Sequence, residues 1–182
     1  MEELAAQLTV EELADLCVGT LRSGMGGDSE GKDNVVGNAS ATVPGAAGDT
    51  SSIIWESRGV KNLILADGPA GLRLQPLFKT TKEGELLPGG EGMGDIIAPF
   101  DESKIPADAV DHYQYCTAIP IGTALAQSFD TDFVQRCGGI VGEEMEHFGV
   151  HLWLAPALNI HRSIRCGRNF EYYSEDPLVS GK

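Results

Sequence analysis

Positive charge is scarce in this chain: 13 Lys and Arg stand against 27 Asp and Glu, a formal net charge of -14. A phosphate-binding surface needs clustered cations to release counterions, so the balance excludes a nucleic-acid partner. Adhesion to an anionic membrane is disfavoured on the same ground. Long apolar runs are missing too, none approaching the roughly 18 to 20 residues that cross a bilayer. The opening Met1-Glu2-Glu3-Leu4 is acidic and lacks the basic and apolar regions of a signal peptide. Cysteine is sparse, with Cys17, Cys116, Cys137 and Cys166 far apart and no C-x-x-C. Cys17 and Cys137 sit in helical patterns among apolar neighbours, where a free thiol acts as a small hydrophobe. The expected setting is reducing and cytoplasmic. There is no G-x-S-x-G, P-loop or G-x-G-x-x-G. His112, His147, His151 and His161 have no zinc spacing, and Gly149 breaks the helix that would align His147 with His151. Neither a metal nor a cofactor is expected.

What is present suits one globular domain: 182 residues, 42% hydrophobic and 22% charged. Thr9-Val10-Glu11-Glu12 has the form of a capping box. Leu8, Leu13, Leu16 and Cys17 then give one apolar helical face that ends near Gly19. Residues 22–52 are rich in Gly, Ser, Asp, Asn and Thr and read as a long loop. Asn62 to Ala66 is a short apolar run, as a parallel strand buried on both faces requires. Residues 75–118 are broken by Pro76, Pro88, Gly89, Gly90, Pro99 and Pro106 among others and read as an irregular insertion. Apolar spacing from Ala124 to Met145, with Phe129 and Ile140 on the apolar face, predicts helices over 121–127 and 131–147. Phe148-Gly149 closes the second helix, and Val150 to Ala155 follows as another buried strand. Helices alternating with short apolar strands predict an α/β fold with a parallel sheet.

Two segments carry chemistry. Asp67-Gly68-Pro69-Ala70-Gly71-Leu72-Arg73 follows the first strand directly. In an α/β barrel, functional residues gather where strands end. A carboxylate there accepts from two hydroxyls at once, as a sugar ring offers, and Arg73 adds donors. The competing reading makes Asp67 a turn cap. The second segment runs from Asn159 to Pro177 after the second strand. Its Arg168 offers a planar fork for two hydroxyls, and Glu171 is placed to orient it. Arg165, Glu175 and Asp176 fit a structural salt-bridge network better, with Ser174 as a helix N-cap. Trp153 lies within the apolar strand and reads as core; Trp55 is the other tryptophan of a candidate stacking platform.

Ala66 to Arg73 resembles the D-G-P-x-G-x-R segment of family 3 glycoside hydrolases, the β-glucosidase and β-xylosidase family. Asn159 to Lys182 resembles that family's N-I-x-R-x-x-x-C-G-R-N-F-E-Y-x-S-E-D-P-x-x-x-G-K block, and Ile119–Ser128 and Gly142–Gly149 resemble its linking segments. The similarity looks closest to bacterial members with a long insertion after the first motif. It implies an incomplete TIM-type (β/α) barrel, with residues 1–182 as the N-terminal portion and the barrel continuing past Lys182. It also implies that Asp67, Arg73 and Arg168 hold the sugar in the -1 subsite, with Glu171 behind Arg168. The family's Lys-His pair, its nucleophilic Asp and its acid/base have no counterpart here. A full (β/α)₈ barrel takes about 250 residues, which agrees. The expected function is therefore part of a retaining β-glycosidase, β-glucoside before β-xyloside, inactive as this chain alone. The expected partners are the sugar, the rest of the barrel and a sandwich domain, with exposed sheet edges favouring self-association. A non-catalytic carbohydrate-binding module, or a domain whose motifs serve folding alone, are the other readings.

Overall fold

The computed structural model describes residues 2–18, 40, 42–50, 54–87, 89, 92–93, 96–97 and 100–182. In chain order the elements are α1 (Glu2–Ala5), α2 (Val10–Val18), β1 (Gly48–Asp49), α3 (Trp55–Arg58), β2 (Ile64–Ala66), β3 (Leu77–Thr80) and β4 (Gly92–Met93). Then come β5 (Ile96–Ile97), β6 (Val110–Tyr113), α4 (Gly122–Gln127), α5 (Thr131–Phe148), β7 (Leu152–Trp153), a 3-10 turn (Asn169–Glu171) and α6 (Pro177–Gly181).

The central sheet has the order β1-β2-β7. β2 and β7 run parallel, Leu65 opposite Leu152 and Ala66 opposite Trp153. This is the expected parallel pair, and α4 and α5 lie in the long crossover between its strands. β1 joins antiparallel on the other side of β2, inside a stretch that reads as loop from composition. Asp49 of β1 is buried and accepts from Ser40 Oγ at 2.6 Å and Thr42 Oγ1 at 3.0 Å. A polar-rich segment thus closes on itself by satisfying a buried carboxylate. The rest of the expected loop, at 22–39, 41 and 51–52, lies outside the described residues, as does the helix end near Gly19. Among the described residues the sheet closes no barrel.

α5 is the structural spine. Asp130 caps it, accepting from Phe133 N at 2.9 Å, and Gly149 ends it at φ 72 with its N–H on Met145 O. Cys137 and Val141 are buried beneath it, with Phe133, Val134, Met145 and Phe148 flanking them. That stripe meets Ile64, Ala66, Leu72, Leu125 and Val150 in one core. Burying a side chain of Val141's size contributes about 1.5–3 kcal/mol. Two expected core positions face out instead. Phe129 is 81% exposed and lies in the connection between α4 and α5 at φ 51. Ile140 is 41% exposed, one residue and so about 100° around the helix from Val141.

Other expectations need correction. Cys17 is exposed while Cys137 is buried, so only one of the two helical thiols behaves as core. β7 is not buried on both faces: Leu152 is 47% exposed while Trp153 packs against the core, and of its neighbours Val150 is buried and Leu154 is 43% exposed. Residues 75–118 are less irregular than their Pro and Gly content implies. β3 pairs antiparallel with β6, and β4 with β5. The capping box forms as expected, Thr9 N on Glu12 Oε2 at 2.8 Å and Glu12 N on Thr9 Oγ1 at 3.2 Å.

Candidate functional site

Asp67 is the first residue past β2, and the chain must turn sharply there. Gly68 and Gly71 make the turn at φ 133 and φ 110. A Cβ on Gly68 would overlap the Gly71 carbonyl oxygen, and one on Gly71 would overlap that of Thr117. The turn brings Arg73 back over Asp67: Arg73 N donates to Asp67 O at 2.9 Å and Arg73 Nη2 to Asp67 Oδ2 at 2.5 Å. Asp67 Oδ1 receives no hydrogen bond from a described residue. The pair is about one-third exposed, so it is held in place but reachable.

β7 delivers the second segment beside the first. Leu154 N donates to Ala66 O at 2.8 Å, and the Trp153 indole N–H donates to Gly68 O at 2.8 Å. Trp153 is thus more than core filler, since it ties the Asp67 turn to the neighbouring strand end. Beyond it the chain folds back on itself, with His161 N on Ser174 O at 3.0 Å and Ala157 bridged to Tyr172. Inside the loop, Asn169 Nδ2 donates to Ser163 O at 2.8 Å and His161 Nε2 to Asn169 O at 2.9 Å. Thr123 of α4 secures the 3-10 turn by donating to Tyr172 O at 2.8 Å. Gly122 lets α4 approach closely, because a Cβ there would press on Glu171 O and the Tyr173 ring.

Arg168 Nε is paired with Glu171 Oε1. Glu171 is 10% exposed and Arg168 69%, so the buried carboxylate orients a guanidinium that reaches into solvent. The same carboxylate holds Arg168 even further above the usual guanidinium range, so it stays charged throughout the working pH range. The remaining guanidinium nitrogens meet no described acceptor. No hydrogen bond or ion pair links the Asp67–Arg73 pair to the Arg168–Glu171 pair. Asp67 directly follows β2, whereas Arg168 and Glu171 lie in the long loop that begins after the adjacent parallel strand β7.

Among the described residues the expected salt-bridge network around Arg165, Glu175 and Asp176 does not form, and none of the three is in an ion pair. Asp176, rather than Ser174, caps α6 by accepting from Leu178 N at 2.7 Å, with Pro177 at the first helical position. Ser174 Oγ accepts from Asp176 N at 3.0 Å one step earlier. His147 and His151 do not converge: the His151 ring accepts from Ile64 N at 3.2 Å, and His147 packs edge-on against Phe148. Among the described residues no group of three His, Cys, Asp or Glu could hold a metal ion. The Trp55 side chain lies outside the described residues.

Two cavities flank the pairs. One of about 390 Å³ is lined by Gly68, Arg73, Gln114, Tyr115 and Cys116 among others. Burial, followed by the charge of Glu144, pushes the Cys116 thiol up to about 11, so it is a neutral wall rather than a nucleophile. The other, of about 600 Å³, lies under the second segment between Asn159, Arg162, Ser163, Cys166, Asn169 and Tyr172. Sequence reasoning passed over Tyr115 and Trp153 as site residues. The alternation Tyr113-Gln114-Tyr115 is the signal that could have found the first.

A family profile described as the N-terminal domain of glycosyl hydrolase family 3 matches residues 108–182. Residues 108–182 therefore belong to the N-terminal domain of glycosyl hydrolase family 3. β-Glucosidase A of Butyrivibrio fibrisolvens is 32% identical over the whole chain, which covers 15% of that protein. Thermostable β-glucosidase B of Acetivibrio thermocellus is 35% identical over 70% of the chain, a region covering 13% of that protein. Among solved structures, β-glucosidase 3B of Thermotoga neapolitana in complex with glucose aligns over 99% of the chain and 19% of its own, at TM-score 0.62 and 34% identity. A β-glucosidase from Paenibacillus barengoltzii aligns over 99% of the chain and 14% of its own, at TM-score 0.61 and 29% identity. The chain therefore spans less than one-fifth of the length of each relative named here. No described helix is long and apolar enough to cross a membrane.

Proposed function

We propose that this chain supplies part of the sugar-holding wall of a retaining β-glycosidase, acting on terminal β-glucosides and secondarily β-xylosides. The observation that carries the reading is the reachable Asp67–Arg73 pair directly past β2, with a second pair, Arg168–Glu171, in the loop that follows the adjacent parallel strand β7. That is where α/β barrels bind substrate. Asp67 Oδ1 accepts from sugar hydroxyls while Arg73 holds Oδ2. Arg168, oriented by Glu171, donates to further hydroxyls from the loop that follows the neighbouring strand. Hydroxyl contacts that tighten as the ring flattens would lower the barrier of double displacement.

The nucleophile and the acid/base are assigned to none of the 182 residues, since both candidate carboxylates are committed to arginines. The remainder of a (β/α) barrel and a sandwich domain would supply them. Four free cysteines, two of them exposed, support a reducing cytoplasmic location.

The test has two measurements. The purified chain should hydrolyse aryl β-glucoside no faster than buffer. Saturation-transfer NMR should detect millimolar glucose binding that Asp67→Ala and Arg168→Ala each remove. Turnover at an enzymic rate would overturn the assignment of catalysis elsewhere. Sub-millimolar binding without turnover would favour a carbohydrate-binding module instead.

A further inference from the structure

The turn that carries Asp67 is gripped from outside, and the grip comes from two parts of the chain far away in sequence. The turn closes on itself through Arg73 N donating to Asp67 O at 2.9 Å. Gly68 and Gly71, at φ 133 and φ 110, leave the backbone between them much freedom, so its direction depends on what holds it. Toward α5, Ile119 N donates to Ala70 O at 2.9 Å and the Thr117 carbonyl abuts Gly71. Thr117 is in turn fastened to that helix, its N–H donating to Glu144 Oε1 at 2.8 Å. Toward β7, the Trp153 indole N–H donates to Gly68 O at 2.8 Å. Among the described residues no other side chain bonds to the main chain of 67–71.

Trp153 joins this turn to the rigid part of the molecule. Its main chain stands opposite Ala66, the residue before Asp67, across the parallel ladder of β2 and β7. Its ring packs against the buried core cluster. An indole carries one donor and no acceptor, so its polar edge serves the Gly68 carbonyl while the rest of the ring stays apolar. That carbonyl belongs to the peptide leading into Pro69, which brings no N–H of its own to the turn. Without the indole N–H the Gly68 peptide is free to swing. Asp67 is one residue away, so the swing moves its carboxylate relative to Arg73 and to any ligand. Positioning errors of this kind weaken a site without removing any group that touches the ligand.

We propose that Trp153 is a positioning residue: its indole N–H fixes the Gly68 peptide, and with it the direction in which Asp67 presents Oδ1 to a sugar. This inference rests on the sugar-holding reading above, and its test separates the two. Glucose affinity of the 182-residue chain is measured by saturation-transfer NMR. Order in the Asp67–Arg73 pair is read from the guanidinium signals of Arg73 in nitrogen–proton spectra. Trp153→Phe keeps a ring against the core and lacks the N–H. Loss of one such hydrogen bond should weaken glucose binding by about two- to tenfold, and the Arg73 signals should average as the pair loosens. Asp130→Ala removes the cap of α5 without touching the turn, and should change neither reading. The parent chain supplies a check that needs no change at Trp153. With Trp55→Phe leaving a single indole signal, the Trp153 N–H should exchange slowly with solvent and shift as glucose is added. Affinity and Arg73 signals that are the same in the parent and in Trp153→Phe would overturn the positioning role and leave the sugar-holding reading standing, as would fast exchange of the indole N–H. Equal losses in Trp153→Phe and Asp130→Ala would overturn it as well, because the effect would then be general loosening. Arg73 signals that depend on Trp153 in a chain that binds no glucose would sustain the hold on Asp67 and overturn the sugar-holding reading.

Discussion

Glycines separate local from tertiary demands in this chain. Gly71 has a positive φ and sits against the Thr117 carbonyl, whereas Gly138, inside α5, has open space where a Cβ would go. The same substitution should therefore act with opposite sign at the two positions. Gly71→Ala adds backbone strain and a collision with main chain, and should lower the unfolding free energy by about 2 kcal/mol or more. Gly138→Ala should raise it by up to about 1 kcal/mol, since alanine is the better helix residue. Urea unfolding of both variants reads the two effects, and a Gly71→Ala chain as stable as the parent would refute the close approach. Asp67 was legible as a strand-end carboxylate from its place after Asn62–Ala66. Its grip by Arg73 depends on φ values that the letters Gly68 and Gly71 permit but do not dictate.

Helices were easier to read than strands because a helix satisfies its backbone locally. α5 was expected over 131–147 and spans Thr131–Phe148, with its closing glycine at the expected position. Its cap gives a direct test: Asp130→Ala removes the acceptor for Phe133 N and should cost about 1 kcal/mol by thermal or urea unfolding. An unchanged midpoint would mean that the cap contributes nothing. The ladder between β3 and β6 escaped notice for the converse reason. Each strand has four residues, and their partners lie some thirty positions apart with Pro and Gly between. Such pairing is settled by long-range contact and leaves little periodic trace. For α2 the capping box was plain, yet Cys17 points to solvent. An amphipathic pattern marks a face but cannot say what covers it.

At the scale of the whole molecule, apolar surface remains open along one side of the sheet. Among the described residues β7 is the last strand of the sheet, and Leu152 in it and Leu154 just past it are 47% and 43% exposed. Exposed edges and contiguous apolar side chains favour association between copies. The net charge of -14 opposes it at long range, and salt screens that repulsion. Sedimentation velocity of the 182-residue chain should show concentration-dependent association that strengthens as salt is raised. Replacing both residues, Leu152→Lys with Leu154→Lys, should suppress it. A chain monomeric at high salt and high concentration would rule the edge out as an association surface.

The sequence by itself determined the acidic balance, the α2 capping box, the course of α5 and the family block from Asn159 to Lys182. Each is written in neighbouring residues or a fixed local period. Tertiary structure alone decided that β2 and β7 lie side by side, that Trp153 ties the Asp67 turn to β7 through Gly68, and that Tyr115 lines the same cavity as Arg73. Those relations join residues up to about ninety positions apart. They follow from backbone pairing and core burial, which no local stretch of sequence encodes.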